Sequence, residues 1–143
     1  MKAAGSLVAL VLLVGGCAAT PAATPTPTAP ATFDVTGTLT LSRVMLYGSD
    51  GDSCSGIEGY DDIRTGTQVK VSDDTGKIVG LGALKAGLAR DSKPSWKGTD
   101  LCVFDFEVKG IPDSGAIYGV EVSHRGVVQF TRDQADSVSL TLG

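Results

Sequence analysis

From Thr32 to Gly143 most apolar residues of the chain fall into runs with a period of two, separated by turn-rich loops, and that period limits what it can build. Successive side chains of a strand point to opposite faces, so the pattern buries one face of a sheet; a helix would need apolar residues three and four apart. Phe33, Val35, Leu39 and Leu41 alternate with Asp34, Thr36, Thr38 and Thr40, and Val69 and Val71 alternate with Gln68, Lys70 and Ser72. Further strands are predicted over 78–84, 101–109, 117–123, 127–131 and 137–142, about seven in all. Turn residues fall between them. Asp73-Asp74-Thr75-Gly76 predicts a short hairpin, Gly110-Ile111-Pro112-Asp113-Ser114-Gly115 a longer turn, and His124-Arg125-Gly126 a tight turn or bulge. No segment shows a sustained apolar pattern at helical spacing, so the expectation is all-β: a single small β-sandwich, with a closed barrel as the competing arrangement. Residues 32–143 suffice for one core and are too few for two.

The other end of the chain reads differently. Met1 and Lys2 precede an apolar stretch through Leu7, Val8, Leu10, Val11, Leu12, Leu13 and Val14, too short to span a bilayer and suited to an export signal. Val14-Gly15-Gly16-Cys17 resembles the lipobox of bacterial lipoproteins. The resemblance implies that residues 1–16 are a lipoprotein signal peptide cut before Cys17, and that the Cys17 thiol carries diacylglycerol. Gly15 and Gly16 suit such a cut because they put no side chain in the way of the peptidase. Ordinary cleavage at Ala18-Ala19 is the competing reading. Residues 17–31 follow as a linker, with Pro21, Pro25, Pro27 and Pro30 among Ala and Thr. At about 3.1 Å per residue it is long enough to hold the domain ~40 Å from the membrane. The expected location is the extracytoplasmic face of the cell membrane, with lipid as anchor.

The cysteine count fits this reading. Three cysteines in an exported chain leave an odd thiol, and lipidation of Cys17 leaves Cys54 and Cys102 as a pair. Outside the cytoplasm such a pair is normally oxidised, and the loop it closes is worth about 4 kcal/mol in chain entropy. Cys102 alternates with Phe104, Phe106 and Val108 and is expected in the core; Cys54 lies in a Gly/Ser/Asp-rich loop. Two separate thiols or a metal half-site are the alternatives.

A broader resemblance covers most of residues 32–143. The run from Gly59-Tyr60-Asp61-Asp62-Ile63 to Val71, then Asp74-Thr75-Gly76-Lys77, resembles a segment of small secreted proteins and lipoproteins of actinobacteria. Cys102-Val103-Phe104-Asp105-Phe106 and the run from Tyr118 to His124-Arg125-Gly126 resemble its later blocks. It implies an envelope lipoprotein with a small β-domain and supplies no active site. Strand, Asp-x-x-Gly turn and strand also resemble transthyretin-like sandwiches; an immunoglobulin-like sandwich fits the strand count equally.

Three groups of residues invite a functional reading. Gly51-Asp52-Ser53-Cys54-Ser55-Gly56 superficially matches the surroundings of a nucleophilic serine, but a triad needs a base held by a third group. The one histidine, His124, follows in a chain without flanking hydrolase motifs, and by alternation it falls in phase with Tyr118, Val120 and Val122, pointing inward. No catalytic residue is assigned. Asp50, Asp52, Glu58, Asp61 and Asp62 offer hard oxygen ligands on a glycine-rich loop and form a weak calcium candidate; solvated carboxylates, with Asp61 and Asp62 pairing with Arg64, are the plainer reading. Tyr60 and Trp96 are the candidate partner contacts, since large aromatic side chains most often carry interface energy. No cofactor is expected. The net charge of −4 argues against nucleic acid, which requires a basic face. The expected function is display of a non-catalytic β-sandwich for binding or structural interaction, in contact with an envelope protein, a glycan or a lipid-linked molecule. The alternative is an inhibitor or effector whose loop from Tyr47 to Thr65, braced by Cys54, engages an extracellular enzyme.

Overall fold

The computed structural model describes residues 29–46, 50–91 and 99–143. Within them the chain forms eight strands: β1 (Thr32–Leu46), β2 (Ser53–Cys54), β3 (Gln68–Ser72), β4 (Ile78–Arg90), β5 (Thr99–Pro112), β6 (Ile117–Val122), β7 (Val127–Thr131) and β8 (Val138–Leu142). They join in one sheet of order β7-β6-β3-β4-β5-β1-β8, with the two-residue β2 paired to β4. All neighbours are antiparallel except β1 and β8, which run parallel from Gly37 opposite Val138 to Leu41 opposite Leu142. The sheet curls until its halves face each other across the core, giving a barrel-like sandwich that is nearly closed. The all-β expectation holds, and the seven expected strands are all present.

The core is built from the alternation. Val35, Leu39, Leu41, Val69, Val71, Phe104, Phe106, Val108 and Val120 are all buried, and Cys102 is buried among them as expected. Each such side chain contributes about 1.5–3 kcal/mol relative to full exposure. At one end Phe33 meets Tyr118 edge-on at 5.0 Å between ring centroids, and Phe130 stacks against Tyr118 at 6.0 Å. The Tyr118 hydroxyl accepts from the amides of Ser114 and Gly115 and donates to the carbonyl of Pro112, so a buried phenol orders the turn between β5 and β6. A 3-10 turn at Arg132–Gln134 joins β7 to β8. Buried Ala135 follows it, and its carbonyl accepts from the Thr36 amide.

The structure moves three local expectations. Gly110-Ile111-Pro112 is not in a turn: β5 continues to Pro112, and Ile111 is fully buried. The strand passes through with a bulge, where Gly110 takes φ 69° and its amide donates to Asp34 Oδ1 at 2.8 Å. β4 runs on to Arg90, past a second bulge between Leu84 and Gly87. His124 is exposed, because Ser123 adopts φ 56° and ends the alternation of β6 one residue before it. The hairpin at Asp73–Gly76 forms as expected. Asp73 Oδ1 accepts from the Thr75 amide, the Thr75 hydroxyl and the Lys77 amide, and these bonds, led by the Thr75 hydroxyl, hold its carboxyl below the usual range.

Candidate functional site

The segment between β2 and β3 is the most elaborate surface feature. It starts from a covalent tie: Cys54 and Cys102 form a disulfide with Cα atoms 5.9 Å apart, which fixes β2 to the core through β5. Backbone bonds extend the tie, since Gly51 N–H donates to Ala89 O and Ala89 N–H to Asp52 O. The chain then folds back on itself. Gly56 N–H donates to Ile63 O at 2.8 Å and Ile63 N–H to Tyr60 O at 2.8 Å, so the loop closes around its own tip. Ile63 is fully buried and anchors that tip in the core. Gly56 is required there, because a Cβ would lie 2.0 Å from Tyr60 O. Thr67 ends the loop: its hydroxyl donates to Asp62 O at 2.6 Å and accepts from the Arg64 amide at 3.0 Å.

A second clamp comes from the β6–β7 turn. Arg125 Nε donates to Asp62 Oδ2 at 3.1 Å, its Nη2 donates to Asp62 Oδ1, and Nη2 also donates to Gly59 O at 2.7 Å. The guanidinium lies over the Tyr60 ring at 4.8 Å from the centroid. The fork of N–H groups matches a carboxylate in one plane, which a lysine ammonium does not. Hydrogen bonding from Arg125 lowers the Asp62 carboxyl below its ordinary value, and the same bond raises the guanidinium. Tyr60 is half-buried, packed against the core and with the Arg125 guanidinium over its ring.

The residues singled out in the sequence therefore separate. Asp62 pairs with Arg125 and not with Arg64; Asp61 Oδ2 accepts the Gly59 amide at 3.3 Å; Asp50 faces Arg90 at 3.7 Å. Glu58 is exposed with φ 50°. Among the described residues no three His, Cys, Asp or Glu side chains are grouped to hold a metal ion, so the loop carboxylates do not converge as a calcium site requires. Ser53 and Ser55 are exposed on the disulfide-tied segment and His124 on the β6–β7 turn, and no hydrogen bond among the described residues joins that histidine to either serine. Trp96 and the loop start at Tyr47 lie outside the described residues. Sequence reasoning missed Arg125 as the loop's partner. The signal was a paired gap, an acidic Tyr-Asp-Asp run and a distant His-Arg-Gly turn, and only the pairing of β3 with β6 brings them together.

Fold and loop together define a small all-β domain whose principal surface loop is fastened twice, by a disulfide and by an arginine. No protein-family model, curated protein or solved structure matches the chain.

Proposed function

We propose that the chain is a lipid-anchored cell-envelope protein that displays a non-catalytic β-domain for binding a protein or glycan at the extracytoplasmic face of the membrane. One observation carries the reading. The disulfide takes Cys54 and Cys102, which leaves Cys17 as the remaining cysteine of the chain, directly behind Val14-Gly15-Gly16 and ahead of a proline-rich linker that leads into β1. A lone thiol at that place has a use if it is acylated, and two long acyl chains at about 0.8 kcal/mol per buried methylene hold a protein durably where an acidic domain would not bind. The domain adds an ordered loop that presents Ile57, Glu58 and Gly59 to solvent, suited to contact because it is already fixed before binding. That pre-organisation equally supports the second reading, inhibition of an extracellular enzyme by the same loop.

The experiment is expression in an actinobacterial host followed by fractionation and mass analysis of the N-terminal peptide. Wild type is expected in the membrane fraction with an acylated Cys17, and Cys17→Ser is expected to lose acylation and leave the membrane. A soluble wild-type protein with an unmodified N-terminus beyond Cys17 defeats the anchor. Relief of a target enzyme's inhibition by Ile57→Ala or Glu58→Ala, with capture of other partners unchanged, favours the second reading.

A further inference from the structure

The sheet stops short of closing. β7 and β8 are its two edges, and following strand directions through the intervening ladders makes them antiparallel to each other. They face one another along their lengths. Arg125 and Gly126, just before β7, and Val128 within it share a narrow cleft with Leu140 to Leu142 at the end of β8 and with Leu39. Val128 to Phe130 share a second groove, of about 290 Å³, with Ser137 to Ser139 at the start of β8. No ladder joins the two strands among the described residues.

Two features show that this seam is open in a chemical sense. Val128 stands opposite Val120 and so belongs to the core-facing side of β7, yet it is 51% exposed where Val120 is fully buried. The exposure is local to Val128, since Phe130, Val138 and Leu140 on the same two strands are buried. Moreover, neither edge carries the usual protection. Val127-Val128-Gln129-Phe130-Thr131 and Val138-Ser139-Leu140-Thr141-Leu142 contain no charged residue and no proline, the devices by which exposed strands avoid new pairing.

Two unpaired edge strands that carry no charge of their own, with Arg125 at one end of the gap and Val128 exposed within it, are complementary to an extended peptide: main-chain bonds to each edge give affinity, and alternate side chains pack on Val128. We propose that the seam between β7 and β8 binds an extended, uncharged segment of another protein, apolar at alternate positions, as an added strand. This rests on the binding reading above and assigns it a surface. A second copy of the chain is the weaker occupant. A five-residue edge is about 17 Å long, and pairing two such edges covers far less than the roughly 800 Å² per partner of a stable interface. The chain's own linker is a poor occupant, since Pro21, Pro25, Pro27 and Pro30 each remove an amide that such a strand would donate.

The test uses the acylated full-length protein in detergent, first to select a displayed library of random heptapeptides and then to bind the enriched peptides made synthetically. Enriched sequences are expected to alternate apolar and uncharged polar residues and to slow amide hydrogen exchange in both β7 and β8. Val128→Lys and, on the exposed side of β8, Ser139→Lys are each expected to weaken binding about tenfold or more, with the thermal midpoint checked for each. Should Val128→Lys unfold, Ser139→Lys carries the test. No enrichment over bare support, binding that survives both variants, or slowing confined to other strands overturns the proposal. So does protection of β7 that rises with protein concentration alone, which would put a second copy on the edge. Loss of the anchor leaves the seam standing if peptide binding persists in Cys17→Ser; partner capture that needs Tyr60 but not Val128 removes the seam and leaves the binding reading.

Discussion

Arg125 joins two stretches of chain that no local rule connects. Its guanidinium closes the Gly59–Asp62 tip, and among the described residues its charge is paired with one carboxylate, Asp62, that is 38% exposed. Solvent at that exposure limits the pair to roughly 1 kcal/mol or less. Arg125→Met is therefore expected to lower global stability by no more than about that amount, while amide exchange and proteolysis at residues 57–62 rise strongly, because the tip loses both its carboxylate and its carbonyl partner. The pH dependence has a definite sign. The folded Asp62 carboxyl titrates below its ordinary 3.8, so the clamp's contribution is complete above that value and is lost as pH falls through the depressed folded value. Chemical denaturation of wild type and Asp62→Asn at a series of pH values checks this: the gap is constant near neutrality and closes in acid. A gap that widens in acid contradicts it.

The loop between β2 and β3 is an element held at its root and at its tip. The root is the disulfide, which spans 48 residues of sequence, and chain entropy gives it about 4 kcal/mol before strain. Reduction is expected to lower the thermal midpoint well beyond the effect of Arg125→Met, and non-reducing peptide mapping should recover Cys54 linked to Cys102. Freely alkylated Cys54 and Cys102 in exported protein would remove this account. Among the strands, legibility followed side-chain volume. β1 and β6 were readable because their buried residues include Phe33, Leu39, Leu41 and Tyr118, and β3 because Val69 and Val71 alternate cleanly with polar residues. β4 was readable only in part, since Gly80 and Gly82 face the core while Leu81 is 60% exposed. A Cβ at Gly80 would meet Ile111 Cδ1 at 2.2 Å, and one at Gly82 would meet Glu107 O at 2.6 Å; the volume there comes from β5, and a pattern that scores one strand at a time assigns it to the wrong place. The tip contact was unreadable for a related reason. Asp62 sits two residues from Arg64 and 63 from Arg125, and proximity in sequence favours the wrong partner.

At the scale of the molecule, the alternation of 32–143 was enough to expect an all-β domain, whereas the curl of one sheet is set by bulges and glycines that alternation does not encode. Gly37 illustrates this. A Cβ there would lie 2.3 Å from Val138 O and 2.6 Å from Phe106 Cζ, so the parallel approach of β8 to β1 depends on a missing side chain. Deleting residues 138–143 is expected to abolish cooperative unfolding, because Val138 and Leu140 leave the core and β1 loses one of its two neighbours. A truncated chain that still melts in one sharp transition would show that β8 only decorates the fold.

That same pairing makes time part of the architecture. Among the described strands β1 is the first to emerge from a ribosome and β8 the last, so the sheet cannot be completed until residues 138–142 have been made. Contacts between such distant segments are slow to form. Until β8 arrives, the edge of β1 that it covers stays open to other partners, so the order of synthesis leaves this edge exposed longest.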